Sequence, residues 1–174
     1  MSDTETQAIE RATAEGFLAL YNESLGVDYR VVRVAGPGES PDVECVNSAG
    51  SVLWLEVTMT EDNPGDIPAL LGRSNHKSVD ALRDLLRRVK MGTVKMPVNR
   101  IDENVKEVLI QRLQRKFQKR YGANVALVVR ETSLPWDWEL ILPDVRTAFR
   151  CSSIPFDRGV WLLSCGKDRL THVF

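Results

Sequence analysis

The chain has 174 residues, 43% of them hydrophobic and 27% charged, with a formal net charge of −1. That balance is ordinary for a soluble globular protein, and the length suits one domain with a sizeable core. No apolar run approaches the roughly 20 residues that span a bilayer, and the opening MSDTETQAIE is too acidic and polar for a secretory signal. The expectation is therefore a cytoplasmic protein with no membrane partner. Cys45, Cys151 and Cys165 are odd in number, widely spaced and without a metal-ligand pattern. They read as reduced thiols, with Cys151 and Cys165 buried. His76 and His172 are the only histidines, too few for a His-rich metal site or a close His-based triad. Charge is unevenly distributed. Residues 1–80 carry 14 acidic and 5 basic side chains, and residues 81–120 carry 12 basic and 4 acidic ones. A basic segment in an acidic chain marks either a polyanion-binding face or a solvated helix surface.

In chain order, Ile9, Ala12, Phe17, Leu20 and Tyr21 recur near helical spacing, so residues 5–25 read as a helix that stops at Gly26. YRVVRVA (29–35) is β-branched and reads as a strand broken by GPGESP. DVECV and SVLWLEVTM read as two strands of a hairpin around NSAG. A polar loop follows over 60–78, and SVDALRDLLRRVK reads as a helix with Ser78 as a candidate N-cap. DENVKEVLIQRLQRKFQKRYG reads as a long helix ending at Gly122. Val105, Leu109, Leu113, Phe117 and Tyr121 step by four along its buried stripe. NVALVVR is a short apolar strand, WELILPDVRTAFR is helical in its second half, and GVWLLSC and LTHVF are the last strands. The order αβββααβαββ predicts an α/β fold, a mixed central β-sheet flanked by helices on both faces.

One residue stands out. Glu56 interrupts the apolar run Val52-Leu53-Trp54-Leu55, and a buried carboxylate is costly unless it is paired, hydrogen-bonded or bound to a cation. A three-residue turn with Gly50 in the left-handed position pairs Asn47 with Ser51. Counting back, Val46 faces Val52, Glu44 faces Trp54 and Asp42 faces Glu56. Opposed residues point to one side of a sheet with Cβ atoms about 5 Å apart. Thr58 lies two residues on and points the same way. Two facing carboxylates repel unless a cation sits between them, and an oxygen-only pair suits Mg²⁺. The alternative is a solvated pair. Trp54, on the same face, reads as packing.

Residues 41–58 resemble the core motif of the PD-(D/E)XK nuclease superfamily, which has a restriction-endonuclease-like fold. Pro41-Asp42 stands for the PD, and Glu56-Val57-Thr58 follows where the family has (D/E)-x-K. The α-β-β-β-α-β core of that superfamily resembles residues 5–130 here. This implies a single domain over 1–174 with an insertion around 60–101. It implies a Mg²⁺- or Mn²⁺-dependent hydrolase of DNA phosphodiesters in which Asp42 and Glu56 hold the metal, aided by the Val57 carbonyl. Glu15, or alternatively Glu10, would support the metal from the first helix. The motif lysine is replaced by Thr58, which carries no charge to stabilise phosphate. Lys116 from the long helix, with Gln111 a lesser match, or Lys77 from the loop, would supply the missing cation. Otherwise the site is a relic that binds without cutting. Arg112, Arg115 and Lys119, with Lys116 and Arg120, would line a nucleic-acid groove that Arg83, Arg87, Arg88 and Lys90 extend. The expected partners are DNA and a second copy of the chain. The other reading is a catalytically silent nuclease-fold module that binds nucleic acid or protein.

Overall fold

A computed structural model describes residues 3–36, 38–60, 98–131, 137–164 and 166–174. The helix read over 78–90, the basic residues within it, Lys77, His76, Trp136 and Cys165 lie outside the described residues. The chain divides into two compact units. The first comprises residues 1–60, 117–135 and 151–174, and the second 61–116 and 136–150.

The first unit begins with helix α1 (Asp3–Leu25). It buries Ala14, Phe17, Leu18 and Tyr21, at spacings i, i+3, i+4 and i+7, which form one stripe of a helix. Six strands follow: β1 (Arg30–Val34), β2 (Val43–Val46), β3 (Val52–Met59), β4 (Val125–Arg130), β5 (Val160–Leu163) and β6 (Leu170–His172). They lie side by side in chain order in one open sheet. Pairs β1–β2, β2–β3 and β5–β6 are antiparallel, and β3–β4 and β4–β5 are parallel. A parallel step cannot be closed by a hairpin. The chain accordingly spends helix α2 (Val98–Phe117) between β3 and β4, and helix α3 (Trp138–Ala148) between β4 and β5. The protein is thus α/β with a mixed six-stranded sheet and three helices among the described residues. None of those helices is long and apolar enough to cross a membrane.

Strand alternation sorts the side chains of the sheet. Val43 and Cys45 of β2, Leu53, Leu55 and Val57 of β3, and Ala126 and Val128 of β4 cluster with the α1 stripe. Fully burying one such Leu or Phe contributes about 1.5–3 kcal/mol. Burial and the neighbouring Glu44 charge push the Cys45 thiol up to about 12, so it stays protonated. The intervening residues of β3, Trp54, Glu56 and Thr58, point to the opposite side. That side is not solvent: Glu56, Thr58 and Thr60 are all buried.

Three expectations are corrected. The long helix read over 102–122 runs instead from Val98 to Phe117. Leu109 and Leu113 are buried as expected, but Tyr121 lies beyond the helix. α3 starts at Trp138 rather than midway through WELILPDVRTAFR, because Asp137 caps it by accepting from the Glu139 and Leu140 N–H groups. Cys151 is exposed, not buried, because it falls just after α3 ends. Within the second unit, Lys106 Nζ of α2 lies 2.7 Å from Asp144 Oδ2 of α3.

Two glycines separate backbone demand from mere presence. Gly159, one residue before β5, has φ 87°, and a Cβ there would stand 2.7 Å from His172 Nε2 and 2.9 Å from the Phe174 carbonyl oxygen. Nothing lies within 4 Å of a Cβ on Gly122. Gly159→Ala should lower the unfolding free energy by about 2 kcal/mol or more, from left-handed strain plus overpacking. Gly122→Ala should change it by no more than about 0.5 kcal/mol. Urea titrations of the two variants check this difference.

Candidate active site

The β2–β3 hairpin sets the register. The Asn47 N–H donates to the Ser51 carbonyl at 3.1 Å, the Gly50 N–H donates to the Asn47 carbonyl at 3.0 Å, and Gly50 takes φ 78°. Val46 then pairs with Val52, Glu44 with Trp54 and Val43 with Leu55, the register counted from the turn. Asp42 is the residue just before β2, beyond the last pair of the ladder. The Asp42 carbonyl accepts from the Ala35 N–H at 2.7 Å, tying it to the end of β1. Its carboxylate Oδ2 accepts from the Val57 N–H at 2.7 Å. It is therefore the Val57 N–H that meets Asp42, orienting its side chain at the head of β2.

Glu56 is only 1% exposed, and the protein surrounds its carboxylate with donors. Ser40 Oγ donates to Oε2 at 2.7 Å. The Tyr121 hydroxyl donates to Oε1 at 3.1 Å. Lys119 Nζ stands 3.9 Å from the same Oε1, with its own side chain 57% exposed. At that distance the attraction is charge–charge rather than a hydrogen bond. A desolvated carboxylate needs this company, since an unsatisfied buried polar group costs several kcal/mol (roughly 2–7). Burial first, then the Glu56 charge and hydrogen bond, then the Asp42 charge, push the Tyr121 phenol well above its ordinary range. That phenol therefore feels both carboxylates and remains a donor.

The remaining expected site residues fall as follows. Thr58 is buried on β3, two residues beyond Glu56 on the same side, and pairs with Val129. On α1, Glu15 is exposed, whereas Glu10 lines a cavity of about 140 Å³ that Asp42 also lines. The helix explains the difference: Glu10 precedes the buried Ala14 by four residues and shares its side, while Glu15 is turned about 100° away. Lys116 is half-buried in the last turn of α2, in the second unit. The Lys119 ammonium, read from the sequence only as a phosphate contact, stands 3.9 Å from Glu56 Oε1. Arg115, Lys119 and Arg120 are exposed. Arg112 is half-buried with its Nε shielded from solvent, so it is not a plain surface cation.

Two residues of the cluster, Ser40 and Tyr121, were missed from sequence. Ser40 carried one signal, a hydroxyl directly before Pro41-Asp42. Tyr121 falls on the four-residue stripe of the expected helix, and Gln118-Lys119-Arg120 ahead of it are good helix formers, so no local signal marks the end of α2. Tyr121 packs on Phe156 at 4.5 Å between ring centroids, and Phe117 reaches the same Phe156 at 6.0 Å.

Because the folded state raises the Tyr121 pKa, its contribution to stability is complete below the unfolded value near 10 and is lost as pH rises beyond it. Tyr21, raised by burial, acts in the same direction. Alkaline unfolding should therefore steepen above about pH 10, and Tyr121→Phe should remove part of that steepening while leaving the neutral-pH slope unchanged. Thermal melts from pH 7 to 11 measure it. No protein-family model, curated protein or solved structure matches the chain.

Proposed function

We propose that this protein is a metal-dependent nuclease hydrolysing DNA phosphodiester bonds, of the PD-(D/E)XK kind, with Lys119 in the place of the motif lysine. The observation that carries the reading is the Lys119 ammonium 3.9 Å from Glu56 Oε1. It brings to the Asp42–Glu56 pair the positive charge that Thr58 lacks. The run α1, β1, β2, β3, α2, β4 has the element order of the superfamily core, which supports a restriction-endonuclease-like fold.

The donor set can be tested for its fit to a metal. No group of three or more His, Cys, Asp or Glu gathers among the described residues. Mg²⁺ does not require one: it is held by one or two carboxylates, waters and substrate phosphate. Asp42 and Glu56 are hard oxygen donors on adjacent strands, and the residues fit. They would hold the cation, which when bound supplies an activated water and charge neutralisation at the phosphate. The chain's own part is positional and electrostatic. The Val57 N–H orients Asp42, Ser40 and Tyr121 hold Glu56, and Lys119 places a cation beside developing phosphate charge. Thr58 contributes no more than a hydroxyl. Exposed Arg115 and Arg120 add sequence-independent attraction to the nucleic-acid backbone.

A second reading rests on a different observation. Each Glu56 oxygen already meets a hydroxyl donor of the protein, so burial of this carboxylate is compensated without any cation. On that reading the chain is a catalytically silent nuclease-fold module that binds nucleic acid or a protein.

Plasmid nicking separates the two. Purified protein with Mg²⁺ or Mn²⁺ should nick supercoiled DNA, Asp42→Ala should abolish nicking, and Lys119→Ala should slow it by about 10²-fold or more. Lys119→Arg should retain a larger share than Lys119→Ala. Absence of nicking with either ion would favour the silent module. Binding is measured separately. The affinity for duplex DNA should fall with salt, by roughly 0.9 log units per log unit of salt for each phosphate contacted. Arg115→Ala with Arg120→Ala should flatten that slope by up to about two units across unrelated sequences. An unchanged slope would make these arginines plain surface.

A further inference from the structure

We infer that Tyr121 is a positioning residue for the candidate cation site, holding the Glu56 carboxylate in the orientation that faces Asp42. The inference rests on the nuclease reading above, since it assigns Tyr121 to the same pair of carboxylates.

The argument is geometric. Glu56 is buried and projects from the middle of β3, where its backbone is held by the ladder to β4, opposite Leu127, just beyond the last β2 pair. The backbone therefore fixes where the side chain starts, and the carboxylate plane still has to be fixed. A hydroxyl on each oxygen contributes to this: Ser40 Oγ on Oε2 at 2.7 Å and Tyr121 OH on Oε1 at 3.1 Å. They are unequal as anchors. Ser40 lies in the exposed connection ahead of β2. Tyr121 is held at its ring by Phe156, 4.5 Å between centroids, so its hydroxyl is delivered by a packed aromatic rather than by a loop. A carboxylate oxygen accepts more than one partner, so a phenol donating to Oε1 orients the group without using its whole capacity. Partners of this kind, one step behind a metal ligand, change metal affinity about 10–100-fold when removed. Lys119 shares Oε1 at 3.9 Å, but its exposed and flexible stem makes it a charge rather than an anchor.

The tyrosines of the chain allow a direct reading. There are three. Tyr21 stacks with Phe17 and Trp161, and Tyr29 lies next to Tyr21, on the side of the sheet that α1 covers. Tyr121 alone bonds to Glu56. The full-length protein labelled with 3-fluorotyrosine should give three ¹⁹F resonances, one assigned to residue 121 by its loss in Tyr121→Phe. On titration with Mg²⁺, the Tyr121 resonance should move and saturate while those of Tyr21 and Tyr29 stay. Asp42→Ala should abolish the movement. In parallel, Tyr121→Phe keeps the ring packing and should weaken Mn²⁺ binding, measured by calorimetry, by about tenfold or more, with its melting temperature near that of the unaltered protein. Ser40→Ala should weaken it less.

The outcomes are distinct. If the protein binds Mn²⁺ and Asp42→Ala loses it, yet the Tyr121 resonance is indifferent to Mg²⁺ and Tyr121→Phe binds as before, the positioning role is overturned and the nuclease reading stands. If the unaltered protein binds neither ion, the nuclease reading fails and takes this inference with it. Should Tyr121→Phe fail to fold, the ¹⁹F titration of the unaltered chain and of Asp42→Ala still decides the matter.

Discussion

A buried carboxylate in the middle of a strand is the constraint around which this site is arranged. Glu56 is paired with Leu127 of β4, one residue beyond the last β2–β3 pair, and is 1% exposed, so it cannot reach water without breaking the β3–β4 ladder. Its oxygens must find donors where they are. They find them in segments far apart in the chain: Ser40 before β2, and Lys119 and Tyr121 after α2. The end of α2 at Phe117 belongs to the same solution. Carried three or four residues further, the helix would have kept Lys119 and Tyr121 on its own surface. Released from it, they turn to Glu56 and to the aromatic ring of Phe156.

Strand periodicity makes the arrangement strict. On β3 the odd positions Leu53, Leu55 and Val57 belong to the cluster under α1, and the even positions Trp54, Glu56 and Thr58 face away. A one-residue slip would exchange the two sets, burying Glu56 among Phe17, Leu18 and Tyr21 and expelling three aliphatic side chains. The turn at Asn47–Ser51 and the aliphatic cluster therefore enforce the same register from two directions. The head of β2 adds a third restraint, because Asp42 bonds through its carbonyl to β1 and through its carboxylate to β3. Glu56 is thus placed by strand pairing and Asp42 by one backbone and one side-chain hydrogen bond, which is the kind of rigidity a cation site or a substrate site requires.

In the proposed reading, Thr58 stands where the motif would have a lysine, but it is a buried neutral hydroxyl. Lys119, over sixty residues away in the chain and largely in solvent, places its ammonium 3.9 Å from Glu56 Oε1. Its attraction to a desolvated carboxylate is screened on one side only, so it is weaker than a buried ion pair and less costly to rearrange. A lysine held this loosely can turn toward a phosphate without leaving an orphaned charge behind. In the proposed reaction, rigidity resides in Asp42, Glu56 and Tyr121, and adaptability in Lys119.

Much of this was written in local pattern. The alternation of VLWLEVTM, the NSAG turn and the apolar block VALVV determined the strands and the hairpin register, because period-two burial and a left-handed Gly50 are short-range demands. The same count gave the pairs Val46–Val52 and Glu44–Trp54 that the hairpin forms. The helix α1 was legible as well, and Phe17 and Tyr21 of its expected stripe are buried, but Ile9, Ala12 and Leu20 are only half-buried while Ala14 and Leu18 are buried, since apolar spacing reports helix phase only loosely. Tertiary structure decided where α2 ends, and with it the roles of Tyr121 and Lys119. The four-residue spacing from Leu113 through Phe117 to Tyr121 fits a continuing helix as well as it fits a helix that stops. A local pattern holds no record of a partner 65 positions away: the hydrogen bond between Tyr121 and Glu56 exists only once β3 and the segment before β4 are side by side.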